Sequence, residues 1–277
     1  MGFLSDYGDN LKIYHYTEPS VMRNTHVHHQ YELYFCPDDI EQKSVVNGVE
    51  YSYKYPCVIL STPYTVHSMS CNSDAEGYDR YVFYFGNKTI SSFDQYHLPK
   101  WIFEKNTGLL FVLTVDEADE LRRIAELYSK NSPVAENELI FALFVNRLLA
   151  LCGEERITKI GTSSFYIQDV LQYVSENYGC NINSENIAKK FAVSRSKLDR
   201  DFRQFIGITV HGYIETCRIN QAKFLLQYNG ELSVGEIAEL CGFGNESHFF
   251  PFFKKHEGVT PAEYRRNTQK QPRKAVK

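Results

Sequence analysis

The sequence contains no long apolar run and no closely paired cysteines. No stretch approaches the roughly 18 consecutive apolar residues that a membrane-spanning helix requires. The opening residues, MGFLSDYGDN, show neither the basic segment nor the apolar core of a secretory signal, so we expect none. Seven scattered cysteines without a CxxC pair are typical of reduced thiols and argue against a disulfide framework or cysteine-ligated zinc. We therefore expect a cytoplasmic protein without a membrane partner.

Charge is distributed unevenly along the 277 residues. Residues 1–159 hold 14 Lys and Arg against 22 Asp and Glu, a net charge of −8, whereas residues 160–277 hold 16 against 12, a net charge of +4. The acidic front and the basic back favour different partners, and the back suits a phosphate backbone. A solvated surface without such a partner is the alternative.

Residues 1–113 are rich in short aromatic and β-branched segments. YELYF, YSYKY, CVILS and YVFYF are separated by turn signals such as Asn47–Gly48, and this pattern predicts short strands in a small barrel or sandwich. Thr114 and Glu117 then have the spacing of a capping box, which predicts a helix. The later segment ENELIFALFVNRLLALCGEE predicts a second helix that is apolar on more than one face. This helix either packs in its own core or also forms a dimer contact.

A phrase that ends in glycine, a β-branched residue and threonine occurs twice, in RQFIGIT from Arg203 and in KKHEGVT from Lys254. The residues around the two phrases also correspond, which indicates an internal duplication. The corresponding apolar positions are Ile187–Ala188 with Ile237–Ala238, Leu198 with Phe249, and Phe202 with Phe253.

Each copy predicts a helix-turn-helix. A short helix is followed by a tight turn at Ala192 or Gly242 and by a second helix with an apolar i, i+4 pair. The glycine of each phrase is expected to end the second helix in a left-handed conformation, and the threonine to cap the next helix. The segment between the copies predicts a spacer helix of some 18 residues, roughly 27 Å long. Two recognition helices so spaced suit successive major grooves, about 34 Å apart, and a purely structural bundle is the alternative.

Residues 165–268 resemble the DNA-binding domain of AraC-type (AraC/XylS) transcription regulators. The second copy, IAELCGFGNESHFFPFFKKHEGVTPAEYR, follows the family pattern almost throughout, and IAKKFAVSRSKLDRDFRQFIGITVHGYI matches its looser first counterpart. The resemblance implies that the positions matching Ser196, Asp199 and Arg200 contact bases. Arg200 is expected to bind guanine through two hydrogen bonds, and Arg195 and Arg203 are expected at phosphates. Asp199 either accepts from a cytosine amino group or pairs with one of these arginines.

The second copy departs from the family pattern at Pro251. A proline inside a helix removes one hydrogen bond and costs about 3 kcal/mol, so this helix is expected to kink or to begin later than usual. The segment FFPFF either supports the core or lets Phe250 contact thymine methyl groups. The candidate DNA contacts of this copy are Glu246, Ser247, His248, Lys254 and Lys255.

The segment HVHHQYELYF, together with a later histidine, resembles the cupin barrel that AraC-type sensors carry at the N-terminus. In metal cupins the residues matching His26, His28, Glu32 and His67 bind one divalent ion, but no Pro-x-Gly precedes His67 here. We therefore favour effector contact over a metal, predict no cofactor, and keep these four residues as the alternative metal ligands. The abundant tyrosines suit a sugar or a similar polar ligand. The candidate effector-binding residues are His26, His28, Glu32, Tyr34 and His67.

The predicted fold class is α+β multidomain, with an N-terminal cupin-like β-barrel and packing helices, and a C-terminal all-α double helix-turn-helix. The expected domains are an effector-sensing barrel (1–113), a helical dimerisation and linker segment (114–153), the DNA-binding domain (164–268) and a disordered basic tail (269–277), with residues 154–164 as the linker. The predicted function is a transcription regulator, not an enzyme, whose partners are promoter double-stranded DNA, a small effector, a second copy and RNA polymerase. A metal-dependent cupin enzyme fused to a DNA-binding domain is the alternative. Alkyl-transfer repair by Cys57 is disfavoured, because no His or Arg stands beside it.

Overall fold

The computed structural model describes residues 10–17, 25–71, 78–92, 100–103, 108–128, 133–161 and 166–269. Its contacts divide the chain into two units, residues 1–168 and 169–277. The basic tail predicted at 269–277 lies outside the described residues from residue 270 onward.

The N-terminal unit contains two antiparallel sheets. The larger sheet has the strand order β1-β7-β2-β5-β8-β9 and the smaller sheet has the order β4-β3-β6. The expected β-rich N-terminal unit is therefore confirmed as two packed sheets, and the described strands do not close into the cupin-like barrel that we also expected. The strands are β1 Lys12–Tyr16, β2 Tyr31–Cys36, β3 Glu41–Val46, β4 Val49–Lys54, β5 Cys57–Ser61, β6 His67–Cys71, β7 Arg80–Phe85, β8 Gly108–Val112 and β9 Ile157–Ile160.

Side chains alternate across the strands of the larger sheet, so its two faces enter two different cores. One face, including Tyr34 and Ile59, packs with residues of the smaller sheet such as Val46 and Met69. The opposite face, including Phe35, packs against the helices α2 and α3. The helices of this unit are α1 Asn87–Ser92, α2 Val115–Glu126 and α3 Val134–Cys152.

The apolar helix α3 has both a buried and an exposed apolar side. Phe141, Phe144 and Leu148 are fully buried against the sheet, which confirms the predicted core packing. Leu139 and Leu143 are about half exposed, at 53% and 49%. The core therefore accounts for only one face of this helix.

Two local features in this region differ in how well the sequence predicted them. The capping box is confirmed, because the Thr114 hydroxyl accepts from the Glu117 amide and the Glu117 carboxylate accepts from the Thr114 amide. The linker expected at 154–164 is wrong in part, because β9 pairs with β8 as the edge strand of the larger sheet. Its four-residue length is too short for a clear alternation of apolar and polar residues.

The C-terminal unit is helical throughout the part that the structure describes. The first copy of the repeat contains α5 and α6, the second contains α8 and α9, and α7 connects them. Within the described residues, no helix has the length and apolar content that crossing a bilayer would require. The helices are α4 Tyr166–Asn177, α5 Ser184–Lys190, α6 Arg195–Ile206, α7 Val210–Tyr228, α8 Val234–Leu240, α9 Glu246–Glu257 and α10 Pro261–Gln269.

The repeated phrases have the predicted local structure. Gly207 and Gly258 end α6 and α9 with φ of 82° and 77°, the left-handed region in which a side chain is strained. The hydroxyl of Thr209 accepts from the amide of Gly212, and that of Thr260 accepts from the amide of Glu263, so each caps the following helix. Each phrase therefore stops one helix and starts the next.

Candidate nucleic-acid interface and a buried histidine cluster

The helices α6 and α9 occupy corresponding places in the two helix-turn-helix units. Each follows a short helix and a turn with a left-handed residue, Ala192 with φ of 53° in one unit and Gly242 with φ of 80° in the other. The inner side of α6 carries Leu198 and Phe202, and the inner side of α9 carries the fully buried pair Phe249 and Phe253. The outer side of each helix faces solvent.

The outer side of α6 is cationic. Arg195, Ser196, Arg200 and Arg203 are all exposed, and the side chains of Arg195 and Arg200 expose 68% and 70% of their surface. Asp199 is half-buried, and its carboxylate lies 3.8 Å from Nε of Arg195. Of the two roles considered for Asp199, the geometry therefore favours pairing with an arginine.

A groove of about 430 Å³ runs along this side of the first unit. Arg195 and Arg203 line it together with His211 near the start of α7, and Glu185 and Asp199 contribute two carboxylates. The two arginines are the groups of this lining that could bind a phosphate, and the two carboxylates beside them balance their charge.

Sequence reasoning missed Asp201, which anchors two of the basic side chains on α6. Asp201 is buried, its Oδ2 accepts from Lys197 Nζ at 2.5 Å, and its Oδ1 accepts from Arg200 Nε at 3.4 Å. The carboxylate thus restrains the Arg200 side chain while leaving its terminal nitrogens exposed. The i, i+4 spacing of Lys197 and Asp201 was the available signal for the first of these contacts.

Helix α9 begins at Glu246 with Asn245 as its cap, at the position that corresponds to the start of α6. The expectation that Pro251 delays the helix start is therefore wrong, and the helix continues through Pro251 to Glu257. A cap whose side chain accepts from the amide of His248 stabilises the first turn. Pro251 lies within the helix and is exposed, so its ring is on the side away from the core.

The outer side of α9 differs chemically from that of α6. Glu246, Ser247 and His248 are exposed in its first turn, and Lys254 and Lys255 are exposed in its last turn. The segment FFPFF is divided between two roles. Its first and last rings, Phe249 and Phe253, belong to the core, and Phe250 and Phe252 are half-buried against that core.

In the N-terminal unit, four of the five candidate effector residues converge. Oε2 of Glu32, on β2, lies 3.0 Å from Nε2 of His28, 3.2 Å from Nε2 of His67 and 3.8 Å from Nε2 of His26. The main chain holds two of these histidines side by side, because His26 and His67 form an isolated bridge with N–O distances of 2.8 and 3.0 Å. We call these four residues the histidine cluster.

Burial and charge determine the protonation of the cluster. Burial lowers the pKa of His28 to about 4, so this imidazole is neutral at pH 7. Burial raises the pKa of Glu32, but the facing imidazoles outweigh this effect and hold the pKa well below its ordinary value. Burial likewise lowers the pKa of His67, and the charge of Glu32 outweighs it and leaves the pKa raised. Glu32 is thus a buried carboxylate anion surrounded by imidazoles.

The fifth candidate, Tyr34, forms a different contact. Its hydroxyl donates to Oε1 of Gln42 at 3.0 Å, and Nε2 of Gln42 donates to the carbonyl of Tyr55 at 3.4 Å. Tyr34 lies two residues after Glu32 on the same strand, so both side chains are on the face that meets the smaller sheet. Tyr31, one residue before Glu32, belongs to the opposite core and donates to the carbonyl of Phe103.

Comparison with known proteins gives matches to transcription factors. A sequence family described as a helix-turn-helix domain matches residues 187–267. The Msm operon regulatory protein of Streptococcus mutans is 30% identical over 145 residues, which are 50% of this chain and 52% of the relative. The HTH-type transcriptional activator RhaS of Enterobacter sp. is 25% identical over 151 residues, 52% of this chain and 54% of the relative.

Among solved structures, the DNA-binding domain of AdpA, a global transcriptional factor in complex with a target DNA, is 30% identical. That match covers 36% of this chain and 88% of the solved chain, with a TM-score of 0.34. The present chain spans about half the length of the curated relatives that it matches.

Proposed function

We propose that this chain, whose C-terminal helix-turn-helix domain belongs to the AraC type, regulates transcription by binding a specific promoter sequence in response to a small effector. One observation carries the proposal: the duplicated units present α6 and α9 in the same way, each with a buried inner side and an exposed outer side. A duplicated unit of this kind is suited to two neighbouring major grooves of one duplex.

The two helices contribute different contacts to this binding. Arg200 donates to a guanine from α6, while Arg195 and Arg203 bind phosphates along the adjacent groove. Lys254 and Lys255 bind phosphates from the end of α9. Glu246, Ser247 and His248 in the first turn of α9 are the remaining candidates for base contact. The connecting helix α7 has 19 residues and is therefore about 28 Å long, which suits it as a spacer between the two units.

The N-terminal unit provides control. The effector binds on the face between the two sheets, where the histidine cluster and Tyr34 lie, and a small polar molecule such as a sugar suits the polar side chains there. The exposed leucines of α3, Leu139 and Leu143, pack against a second copy of the chain, and RNA polymerase is a further partner. Sedimentation of a Leu143→Glu variant tests the dimer, because a variant that sediments like the wild type removes this interface from consideration.

The test of DNA recognition is selection from a randomised duplex pool, followed by gel-shift titration of the selected and a scrambled duplex. We expect the selected duplex to bind at least 1,000-fold more tightly than the scrambled one, on the order of a specific complex at physiological salt. Equal binding of both duplexes that disappears only as salt is raised contradicts the proposal, because such binding is phosphate neutralisation alone. Equal affinity with and without every effector tested in a thermal-shift screen contradicts the regulatory part.

A further inference from the structure

We propose that His26, His28, Glu32 and His67 form a binding site for one divalent transition-metal ion that links the two sheets of the N-terminal unit. The candidate donor atoms, one from each residue, all lie within 4.8 Å of one another. Metal binding at this site is a property separate from DNA recognition and does not depend on it. Only the interpretation of the ion as the effector depends on the proposed function.

The two buried imidazoles are oriented as metal ligands. Nδ1 of His28 lies 2.9 Å from the carbonyl oxygen of Gln30, and Nδ1 of His67 lies 2.9 Å from the carbonyl oxygen of Thr65. A carbonyl oxygen only accepts hydrogen bonds, so each Nδ1 carries a proton and donates it. In a neutral ring the lone pair is then on Nε2. A metal-binding histidine usually donates its other ring N–H to a backbone carbonyl or a carboxylate, and this hydrogen bond fixes the tautomer.

The Nε2 atoms of both imidazoles face the same carboxylate oxygen. Nε2 of His28 and Nε2 of His67 both point at Oε2 of Glu32, which is an acceptor when ionised. Both nitrogens therefore converge on a single carboxylate oxygen in the protein interior, at 3.0 and 3.2 Å. A cation between the donors satisfies all of them together, which a single proton does not.

The size of the cluster suits a single ion. Metal–nitrogen distances of about 2.1 Å and metal–oxygen distances of about 2.0–2.2 Å place neighbouring donors of a tetrahedral site roughly 3.4 Å apart. The three distances from Oε2 of Glu32, 3.0, 3.2 and 3.8 Å, fall on both sides of this value. Ion binding therefore requires only small side-chain movements.

The donor set and its burial indicate the kind of ion. Three imidazoles and one carboxylate suit borderline divalent ions such as zinc, and they suit magnesium or calcium poorly, since those ions prefer oxygen ligands. His28, Glu32 and His67 expose 1%, 3% and 0% of their side chains, whereas His26 exposes 21%. An ion therefore enters and leaves on the His26 side, and exchange of this kind is what a reversible sensor needs.

The location of the ligands gives the ion a structural effect. Glu32 lies on β2 of the larger sheet, and His67 lies on β6 of the smaller sheet. An ion bound to both residues cross-links the sheets and stabilises only the folded unit, so its binding free energy adds to stability.

The test uses the full-length chain without an affinity tag, stripped with a chelator and then titrated with zinc by calorimetry. We expect one zinc ion per chain, a rise in the melting temperature, and a visible absorption band when cobalt replaces zinc. A wild-type protein that is folded by circular dichroism but binds no zinc overturns the proposal directly, without any variant.

The variants locate the site. Glu32→Gln and His67→Ala should each weaken zinc binding by about 100-fold, and the more exposed His26→Ala should weaken it by about 10-fold and leave the fold intact. The matched control is His29→Ala, because His29 belongs to the same segment but not to the cluster. Undiminished zinc binding in His26→Ala and Glu32→Gln, or an equal loss in His29→Ala, overturns the assignment.

A gel shift with zinc-free and zinc-loaded protein separates this inference from the proposed function. If zinc-loaded and zinc-free protein differ in affinity for the selected duplex, the ion acts as the effector. Stoichiometric zinc with unchanged DNA affinity overturns the effector interpretation and supports the site. Stoichiometric zinc in a protein that recognises no duplex supports the site and rejects the proposed function.

Discussion

The two helix-turn-helix units share one backbone design but present different chemistry to solvent. At corresponding positions, separated by 51 residues, the first unit has Arg195 where the second has Glu246, and Arg200 where the second has Pro251. Only near the ends of α6 and α9 do both helices offer a cation, Arg203 and Lys254. The two units therefore kept the same buried side after duplication, while their outer sides diverged. The first unit is therefore expected to supply most of the sequence recognition.

The largest expected effect concerns the shared buried side. Phe202 and Phe253 are fully buried, and each contacts a corresponding tyrosine, Tyr213 at 6.0 Å and Tyr264 at 5.5 Å between ring centroids. Phe202→Ala and Phe253→Ala should each lower the free energy of unfolding by about 3–5 kcal/mol, because each leaves a cavity in its core. Urea unfolding followed by circular dichroism measures both. Similar losses of unfolding free energy in the two variants support the equivalence of the units. A loss below about 1 kcal/mol in only one variant contradicts it.

The buried side is also what the sequence predicted best. The i, i+4 apolar pairs, the turns at Ala192 and Gly242 and the stop-and-start phrases depend on local spacing and backbone conformation, so a single sequence contains them. Of the two expected effects of Pro251, the later start of α9 is wrong, because the cost of the proline was weighed without the cap at Asn245. The contact between Arg200 and Asp201 was missed because adjacent residues on a helix do not normally face each other.

In the N-terminal unit, the sequence predicted which residues meet but not how. The four residues that the cupin resemblance grouped, His26, His28, Glu32 and His67, do lie together, whereas Tyr34 contacts Gln42, and their role as a binding site stays a prediction. Whether the cluster suits an ion depends on which backbone carbonyls lie beside the Nδ1 atoms of His28 and His67. The sequence pattern does not reveal where these carbonyls lie. The arrangement in two sheets, and the recruitment of β9, depend on long-range pairing that local patterns do not determine.

The second prediction concerns the proline that distinguishes the outer sides. Pro251→Ala should raise the free energy of unfolding by up to about 3 kcal/mol, because alanine restores a backbone donor and removes the clash with the carbonyl four residues earlier. The matched control is Arg200→Ala at the corresponding position of α6, where the stability should fall by less than about 1 kcal/mol, because the contact with Asp201 is long and Asp201 keeps its contact with Lys197. Urea unfolding measures both variants, and a destabilised Pro251→Ala protein would show that α9 is adapted to the proline.

A third and smaller difference lies in the two turns. A Cβ on Gly242, at φ of 80°, would lie 2.6 Å from the carbonyl oxygen of Tyr178, whereas Ala192 already has a left-handed φ of 53°. Gly242→Ala should therefore lower stability by about 2 kcal/mol, from left-handed strain and this backbone clash. Ala192→Gly should change stability by less than about 1 kcal/mol, because the relief of strain opposes the added freedom of the unfolded chain. Thermal unfolding compares the two, and equal losses would contradict the different packing of the turns.

The last prediction tests the division of labour in DNA binding. Arg200→Ala should weaken binding to the selected duplex by about tenfold and relax the preference at one base pair, because a lost bidentate contact costs about 1–3 kcal/mol. Arg203→Ala on the same helix is the matched control, since a lost phosphate contact weakens all duplexes alike and lowers the salt dependence by about one ion. His248→Ala in the first turn of α9 should weaken binding least, because the His248 ring lies against Phe243 and Phe252, with centroid distances of 6.0 and 6.2 Å. Gel-shift titrations on the selected duplex and its single-base variants measure all three. If His248→Ala relaxed specificity more than Arg200→Ala did, the second unit would make the main base contacts. The similarity of the two buried cores would then not indicate which outer side contacts bases.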